Sequence, residues 1–371
     1  MLRIASIHAL RAVSPIFQSN QNSSLAVLSK MRILSAPLRV SLGITSKCNL
    51  NCIHCLAGND RGIGDLSASK LLSIIKEIIS LKIFNVTISG GEPLMRRDFF
   101  KIIGAFNNFK ACLSLSTNAT LITKDMARKL SGSHIKYYQV SLDGSSEKLH
   151  DALRGRGAFK KAVCGIKNLL DKRRDVIILT TVTNINVNDL ENIAIIGKKL
   201  GVLQVVFKRL MYTGSAIKFY NDLKIRLEDR VKLFKMFKKL KRNLGEFVSG
   251  YGDWLISVTR EDRNKKFPLI IDSCSAAVTR CAIRPDGWVV PCEMTHEIKA
   301  GNLKNQSLYD IWNNSPVMKE FREPIKIREE DIPECKDCRY LILCYRFARC
   351  QPYYYSKTRF KHKELYCWKG E

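Results

Sequence analysis

Three cysteines stand close together in the run Cys48-Asn-Leu-Asn-Cys52-Ile-His-Cys55. This C-x3-C-x2-C spacing offers three thiolates from one tight loop. A four-iron cluster normally takes four thiolates, so three ligands leave one iron with an open position. An open position on a metal is where a substrate binds and reacts. Zinc sites more often take their ligands as two separated pairs. A zinc site that borrows a remote ligand such as His54 is the rival reading of these residues. Eight more cysteines lie late in the chain: Cys274, Cys281 and Cys292, then Cys335-x2-Cys338-x5-Cys344-x5-Cys350, then Cys367. Cys112 and Cys164 stand apart, one in a strand pattern and one in a helix pattern, and read as ordinary buried thiols. The chain has 13 cysteines in 371 residues. Disulfide frameworks belong to short secreted chains, so these spacings read as metal or cluster ligation in a reducing, cytoplasmic compartment.

The segments around these residues alternate between two periods. Short β-branched runs occupy Leu38–Thr45, Asn85–Ser89, Cys112–Thr117, Tyr137–Leu142, Val176–Thr183 and Val202–Arg209. Helical patterns fall between them. Ser67 can cap a helix carrying Leu71, Leu72, Ile75, Ile78 and Ile79, and Asn188 with Glu191 three residues on gives another start signal. Strands alternating with helices predict parallel βαβ units, hence an α/β fold: a partial (β/α)6 barrel of parallel strands. Ligands of such folds sit at the C-terminal ends of the strands. Cys48, Gly90, Asn118 and Asp143 follow the first four strands in turn. After about residue 245 the alternation stops and most of the remaining cysteines begin. This divides the chain into an extension (1–36), a core (37–245) and a small cysteine-rich C-terminal domain (246–371).

The tri-cysteine run resembles the defining motif of the radical S-adenosylmethionine (SAM) superfamily. That family has a glycine-rich segment after the second strand, and Ser89-Gly90-Gly91-Glu92-Pro93-Leu94 stands there. Further segments match: Ser116-Thr117-Asn118, Val140-Ser141-Leu142-Asp143-Gly144 and His150-Asp151-Ala152-Leu153-Arg154-Gly155. The resemblance implies a [4Fe-4S] cluster on Cys48, Cys52 and Cys55, with SAM on the open iron. It also implies SAM contacts from Gly90, Gly91, Glu92, Asn118, Ser141, Asp143 and Arg154. The implied chemistry is reductive cleavage of SAM to a 5′-deoxyadenosyl radical that takes a hydrogen atom from a substrate. The family usually has a larger aromatic residue before the third cysteine, where this chain has His54.

The C-terminal cysteines resemble the SPASM domain of peptide- and protein-modifying members of that superfamily. Arg284-Pro-Asp-Gly-Trp-Val-Val-Pro-Cys292, Gly301-Asn-Leu303 and Asp310-Ile-Trp312 fit the same resemblance. It implies two auxiliary [4Fe-4S] clusters, one on Cys274, Cys281, Cys292 and Cys350, the other on Cys335, Cys338, Cys344 and Cys367. The spacer between Cys344 and Cys350 departs from the usual shorter, glycine-containing form, which bears on the reach of Cys350. Glu293, next to Cys292, stands where sulfatase-maturing relatives place a carboxylate base; a surface glutamate is the other reading. The implied partners are a peptide or protein substrate and a low-potential electron donor of flavodoxin or ferredoxin type. Tetrapyrrole or other cofactor biosynthesis is the alternative activity, and a non-enzymatic iron–sulfur electron carrier is a third reading.

Charge and hydropathy exclude some classes. No stretch runs to about 18 apolar residues without a charge, so no membrane-spanning helix is expected. The net charge is +28, from 62 Lys+Arg against 34 Asp+Glu. That excess attracts polyanions or acidic peptides over long range, but it is spread along the chain, so nucleic-acid binding is not expected from it. Its densest patch, residues 218–242, carries Val231, Phe234, Phe237 and Leu240 at near-helical spacing and predicts an amphipathic surface helix. Residues 1–59 hold no Asp or Glu. Such a segment fits a transit peptide, a plain extension, or a chain that starts at Met31.

Overall fold

The computed structural model describes residues 34–58, 61–250, 269–271, 274–323, 325–327 and 333. Six parallel strands lie in sequence order in one sheet: β1 (Arg39–Thr45), β2 (Asn85–Gly90), β3 (Cys112–Thr117), β4 (Tyr137–Ser141), β5 (Asp175–Val182) and β6 (Gln204–Arg209). Each follows the predicted run to within two residues at either end. Helices separate them: α1 (Ala68–Ser80), α2 (Phe99–Gly104), α3 (Lys124–Ser131), α4 (Glu147–Arg154), α5 (Ala158–Asp171) and α6 (Leu190–Leu200).

Period-2 alternation decides which face meets the helices. On β1, Val40, Leu42 and Ile44 are buried in the core, and on β2 so are Val86 and Ile88. The intervening residues are polar and small. Ser41 bonds Ser89 at 3.1 Å and Thr87 bonds Ser114 at 3.0 Å, hydroxyl to hydroxyl across neighbouring strands. One face of the sheet is thus apolar and helix-covered, while the inner face presents hydroxyls. A parallel sheet covered on both faces carries apolar residues on both; this one leaves its inner face available for a polar ligand.

Local signals account for the helices. Ser67 caps α1 by accepting from the Lys70 N–H at 3.2 Å, and Leu71, Ile74, Ile75 and Ile78 form its buried side. An alanine at such a cap costs about 1 kcal/mol. Helix α6 begins one residue later than its start signal implied, with Asp189 rather than Asn188 as the cap residue. Asp189 does not cap with its carboxylate; that group accepts from the Ser145 N–H and hydroxyl, both at 2.7 Å. The basic patch forms a four-residue helical turn, α7 (Tyr220–Leu223), then α8 (Leu227–Leu244), with Phe237 and Leu240 buried.

The sheet continues past residue 245. Strand β7 (Val248–Gly250) adds parallel to β6. A separate two-stranded pair joins β8 (Leu269–Ile271) to a later strand, β12 (Ile325–Ile327). On the opposite edge, β9 (Arg280–Ile283) pairs parallel with β1, and β10 (Trp288–Val290) and β11 (Gly301–Asn302) extend it antiparallel, giving ten strands. Gly43 permits the β1–β9 approach: a Cβ there would stand 2.9 Å from Pro285 Cδ and 3.0 Å from the Ile283 carbonyl. Helices α9 (Leu308–Asn314) and α10 (Pro316–Arg322) bury Trp312 and Phe321 in the same core as the barrel strands. No helix among the described residues is long and apolar enough to cross a membrane.

Candidate functional site

The loop between β1 and α1 carries Cys48, Cys52 and Cys55, and all three are free thiols. Two remote segments hold it. The Ile53 N–H donates to the Leu153 carbonyl at 3.1 Å, and the Ser215 N–H donates to the Cys55 carbonyl at 2.9 Å. Gly214 sits at φ 60°, where a Cβ would come within 2.3 Å of that same carbonyl, so only glycine lets the two loops meet. Burial pushes the Cys48 thiol up, and it pushes Cys52 up to about 11 although Arg154 opposes it. Iron must therefore displace protons to bind here.

Donors surround the sulfurs. Cys48 Sγ accepts from the Leu50 N–H at 3.5 Å and lies 3.9 Å from Asn118 Nδ2. Cys52 Sγ lies 3.8 Å from Arg154 Nη1. Behind Arg154 stands Asp143, fully buried just past the end of β4. Its Oδ2 accepts from Arg154 Nε at 2.5 Å and meets His54 Nε2 at 3.1 Å, while its Oδ1 accepts from the Thr181 N–H at 2.8 Å. Burial alone would raise this carboxyl, but Arg154 and His54 outweigh it and hold it well below the ordinary range. Burial also presses on Arg154, but Asp143 outweighs it and raises the guanidinium further above its usual value. Next to them, burial and then Arg154 lower His150 to about 4, so its neutral Nδ1 accepts from the Asp143 N–H at 3.1 Å.

The glycine segment after β2 packs backbone against backbone. Gly90 has φ 137°, and a Cβ there would be 2.2 Å from the Thr45 carbonyl; a Cβ on Gly91 would be 2.2 Å from the Lys47 carbonyl. Glu92 turns inward and is fully buried. Its oxygens accept from Thr117 Oγ1 at 2.8 Å, the Asn118 N–H at 2.8 Å and the Leu94 N–H at 3.2 Å. Burial raises its carboxyl to about 7 against those bonds. Glu92 therefore ties the ends of β2 and β3 together. Asn118 in turn donates to Asn49 Oδ1 at 3.0 Å. Ser141 closes β4 half-buried, with its backbone paired to Leu179.

A cleft adjoins the glycine segment. It has a volume of about 430 Å³, counting its open mouth, and its lining includes Ser41, Ser89, Gly90 and Gly91 together with Arg284, Glu293 and His296. Glu293 accepts from Arg280 Nη1 at 3.1 Å. Burial would raise its carboxyl, but Arg280 and Lys208 outweigh it and hold it below the usual glutamate value.

Residues 42–195 match the radical SAM superfamily and residues 274–339 match SPASM, an iron–sulfur cluster-binding domain. Residues 42–195 are thus a radical SAM domain, followed by a SPASM segment. It is 29% identical over 332 residues to the mycofactocin maturase MftC of Mycolicibacterium smegmatis, covering 84% of this chain and 78% of that one. It is 27% identical over 348 residues to the AdoMet-dependent heme synthase of Methanosarcina barkeri, covering 90% of this chain and 97% of that one. Among solved structures, Streptococcus suis SuiB bound to its precursor peptide SuiA shares the fold, with a TM-score of 0.68 at 19% identity over 97% of this chain and 86% of that one.

A radical SAM domain binds a four-iron cluster and SAM, and the residues here fit both. The donor set is three thiols with N–H groups aimed at two of them. Among the described residues, no three His, Cys, Asp or Glu side chains converge on a point that one metal ion could hold. His54 Nδ1 is buried with no hydrogen-bond partner among the described residues. The SPASM cysteines are described in part. Cys281 sits buried on β9, where burial pushes its thiol up to about 12. Cys292 follows β10, whose Val290 faces Ala282, so Cys281 and Cys292 stand at one end of the hairpin. Cys274 enters the turn that leads into β9. Cys335, Cys338, Cys344, Cys350 and Cys367 lie outside the described residues. Cys112 is half-buried at the start of β3, while Cys164 is exposed on α5, not buried as its helical pattern suggested.

Lys208, Arg280, His150 and Gly214 escaped the sequence reading. Lys208 ends β6, and the rule that ligands gather at C-terminal strand ends could have found it. Gly214 meets Cys55, far from it in the chain, and no local pattern marks it; His150 and Arg280 act on Asp143 and Glu293 nearby, but His150 was read only as part of a segment and Arg280 not at all.

Proposed function

We propose that this radical SAM enzyme is a maturase that modifies a side chain of a peptide or protein. The observation that carries this reading is the single cleft lined by both Gly90–Gly91 and Glu293. The same cleft thus takes its lining from the glycine segment after β2 and from a carboxylate of the SPASM segment. MftC is named a maturase, and SuiB was solved with a precursor peptide; both support a peptide as the substrate here. When bound, cluster and SAM together supply a 5′-deoxyadenosyl radical that removes a hydrogen atom from the substrate.

The chain's own residues would do the rest. Cys48, Cys52 and Cys55 hold the cluster. The Gly90–Gly91 backbone, Asn118, Ser141 and Arg154 orient SAM, and Glu92 and Asp143 act through the residues they hold. The hydroxyl-lined inner face holds the target near the radical, where positioning counts most. Glu293 would accept the proton that the substrate radical gives up, with an auxiliary cluster on the C-terminal cysteines as the electron acceptor that balances this oxidation. The segment from residue 246 carries two auxiliary clusters on the eight C-terminal cysteines assigned above. A flavodoxin- or ferredoxin-type donor reduces the enzyme in the cytoplasm.

Co-expression with candidate precursor peptides, followed by mass spectrometry, tests this. A mass change that needs Cys48, Cys52 and Cys55 is the expected result. SAM cleavage with every peptide unchanged would count against it. A second reading, tetrapyrrole synthesis, is favoured by the heme synthase relative, 97% of which is covered. Conversion of an iron porphyrin carboxylate, read by its absorption spectrum, would establish that instead.

A further inference from the structure

The loop that carries Cys48, Cys52 and Cys55 has a neck, where the chain leaves β1 and where it returns to α1. The outgoing side holds a register shift. Gly43 of β1 faces Ser89 of β2 and Thr45 faces Gly90, so Ile44 between them has no partner in the ladder. An extra residue of this kind bends the strand and leaves its backbone groups to be satisfied elsewhere. Ile44 is fully buried, and a buried carbonyl needs a donor. Arg96 supplies it: Nη1 donates to the Ile44 carbonyl. On the returning side, the carbonyl of Leu66, just before the cap of α1, accepts from Arg96 Nη2 at 2.9 Å. Asp98 fixes the fork from behind, accepting from Nε at 2.6 Å and from Nη2 at 3.2 Å. One guanidinium, on a side chain only 10% exposed, thus bridges both sides of the neck.

The two sides are also tied directly. Asp65 accepts from Thr45 Oγ1 at 2.6 Å and from the Ser46 N–H at 2.8 Å, and Ser46 Oγ donates to the Ile63 carbonyl at 2.9 Å. Arg96 adds a link from the neck to the glycine segment. The shifted register sets Thr45 against Gly90. Beyond it the Thr45 carbonyl accepts from the Gly91 N–H at 2.7 Å, and the Lys47 carbonyl accepts from the Glu92 N–H at 2.8 Å. Arg96 itself follows this segment by a single turn, Pro93–Met95. The Leu66 N–H donates at 2.8 Å to the carbonyl of Pro285, which lines the cleft.

We propose that Arg96 is a positioning residue for SAM: a clasp that holds the cysteine loop and the Gly90–Gly91 segment in one register. This rests on the assignment of cluster and SAM to those two segments, and not on the peptide reading. Arg96 acts through the backbone it holds. A planar fork of N–H donors spans two carbonyls and a carboxylate, which a lysine point charge does not. Were Arg96 only a brace for Asp98 at the start of α2, its loss would leave SAM binding untouched.

The test uses the full chain, reconstituted anaerobically, with isothermal titration of SAM and steady-state 5′-deoxyadenosine formation under dithionite. Arg96→Met should weaken SAM binding by about 10–100-fold, as loss of a residue that orients ligands from behind does. KM for SAM should rise by the same factor while kcat at saturating SAM stays within about threefold of the wild type, the pattern of lost binding rather than lost bond cleavage. A chelator should strip iron from the variant about tenfold faster. Arg96→Lys should stay within about threefold of Arg96→Met, because it keeps the charge and loses the fork. Asp98→Asn should weaken SAM binding by about threefold, as loss of a partly exposed ion pair does. Arg97→Met, at the exposed neighbouring position, is the control and should bind SAM as the wild type does. A folded, iron-loaded Arg96→Met that binds SAM within about twofold of the wild type, the range of an ordinary surface change, overturns the clasp. So does full recovery in Arg96→Lys, or a fall in kcat with KM unchanged. If Arg96→Met does not fold, Arg96→Lys and Asp98→Asn carry the same test. A wild type that holds iron but binds no SAM overturns the assignment of the SAM site and the clasp with it, whereas wild-type binding with unaltered variants overturns the clasp alone.

Discussion

Replacing Asp143 by Asn tests the electrostatic frame behind the cluster loop. The native carboxylate accepts from Arg154 Nε at 2.5 Å and the Thr181 N–H at 2.8 Å, and it meets His54 Nε2 at 3.1 Å. Asparagine keeps the size and can still accept from Thr181. Its amide nitrogen then faces Arg154 and His54, two donors, with no acceptor left for them. Arg154 is left as a buried cation without a counter-ion. Removing one partner of a buried pair costs about 3–5 kcal/mol. Chemical denaturation of wild type and variant, both reconstituted under anaerobic conditions, should show a stability loss of that size. Freed from Asp143, Arg154 should also lose its alignment with Cys52, and the affinity for SAM should fall by about tenfold or more. A loss below about 1 kcal/mol with unchanged SAM affinity would refute the view that Asp143 holds this frame together.

Three further outcomes follow from other parts of the site. Gly91→Ala puts a Cβ 2.2 Å from the Lys47 carbonyl, so the loop must shift; isothermal titration should show SAM binding lost by about tenfold or more, whereas Gly64→Ala, which meets nothing within 4 Å, should bind normally. Glu92 is raised by burial from 4.5 to about 7. A raised acid stabilises the fold fully below its unfolded value and loses that contribution as pH rises to about 7, a change of about 3 kcal/mol. Glu92→Gln should flatten the stability–pH curve between those values, and an unchanged slope would be evidence against it. Glu293→Gln should leave 5′-deoxyadenosine formation intact but slow product formation by about 10²–10⁴-fold, as loss of a general base does; equal loss of both would assign Glu293 to SAM cleavage instead.

The six barrel strands were legible because apolar residues such as Val40, Leu42 and Ile44 alternate with small polar ones, and because Gly, Asn and Asp punctuate their ends. The cysteine loop was legible because its ligands are local in sequence. What binds that loop was not. Asp143 is contacted by Arg154, His54 and Thr181, which lie on three separate segments, and no window of sequence holds them together. The start of α6 slipped by one residue because Asn188 carried the start signal, while Asp189, whose carboxylate is held by Ser145, stands at the cap position. Cys164 is a similar case: its helix packs through Ala162, Ile166 and Leu169, and the cysteine falls on the outer side. The addition of β9 to β1 depends on Gly43 and Pro285, 242 positions apart, a contact that only the folded chain reveals.

The central claim is that the loop of Cys48, Cys52 and Cys55 leaves one iron free to chelate SAM. Pulsed magnetic resonance on the reduced, anaerobically reconstituted enzyme measures this directly, using SAM labelled with nitrogen-15 at the methionyl amino group. The account predicts a hyperfine coupling between that nitrogen and the cluster, absent when the three cysteines are replaced by alanine. A fully loaded wild-type cluster with no such coupling, or a triple variant that still cleaves SAM at the wild-type rate, would contradict it.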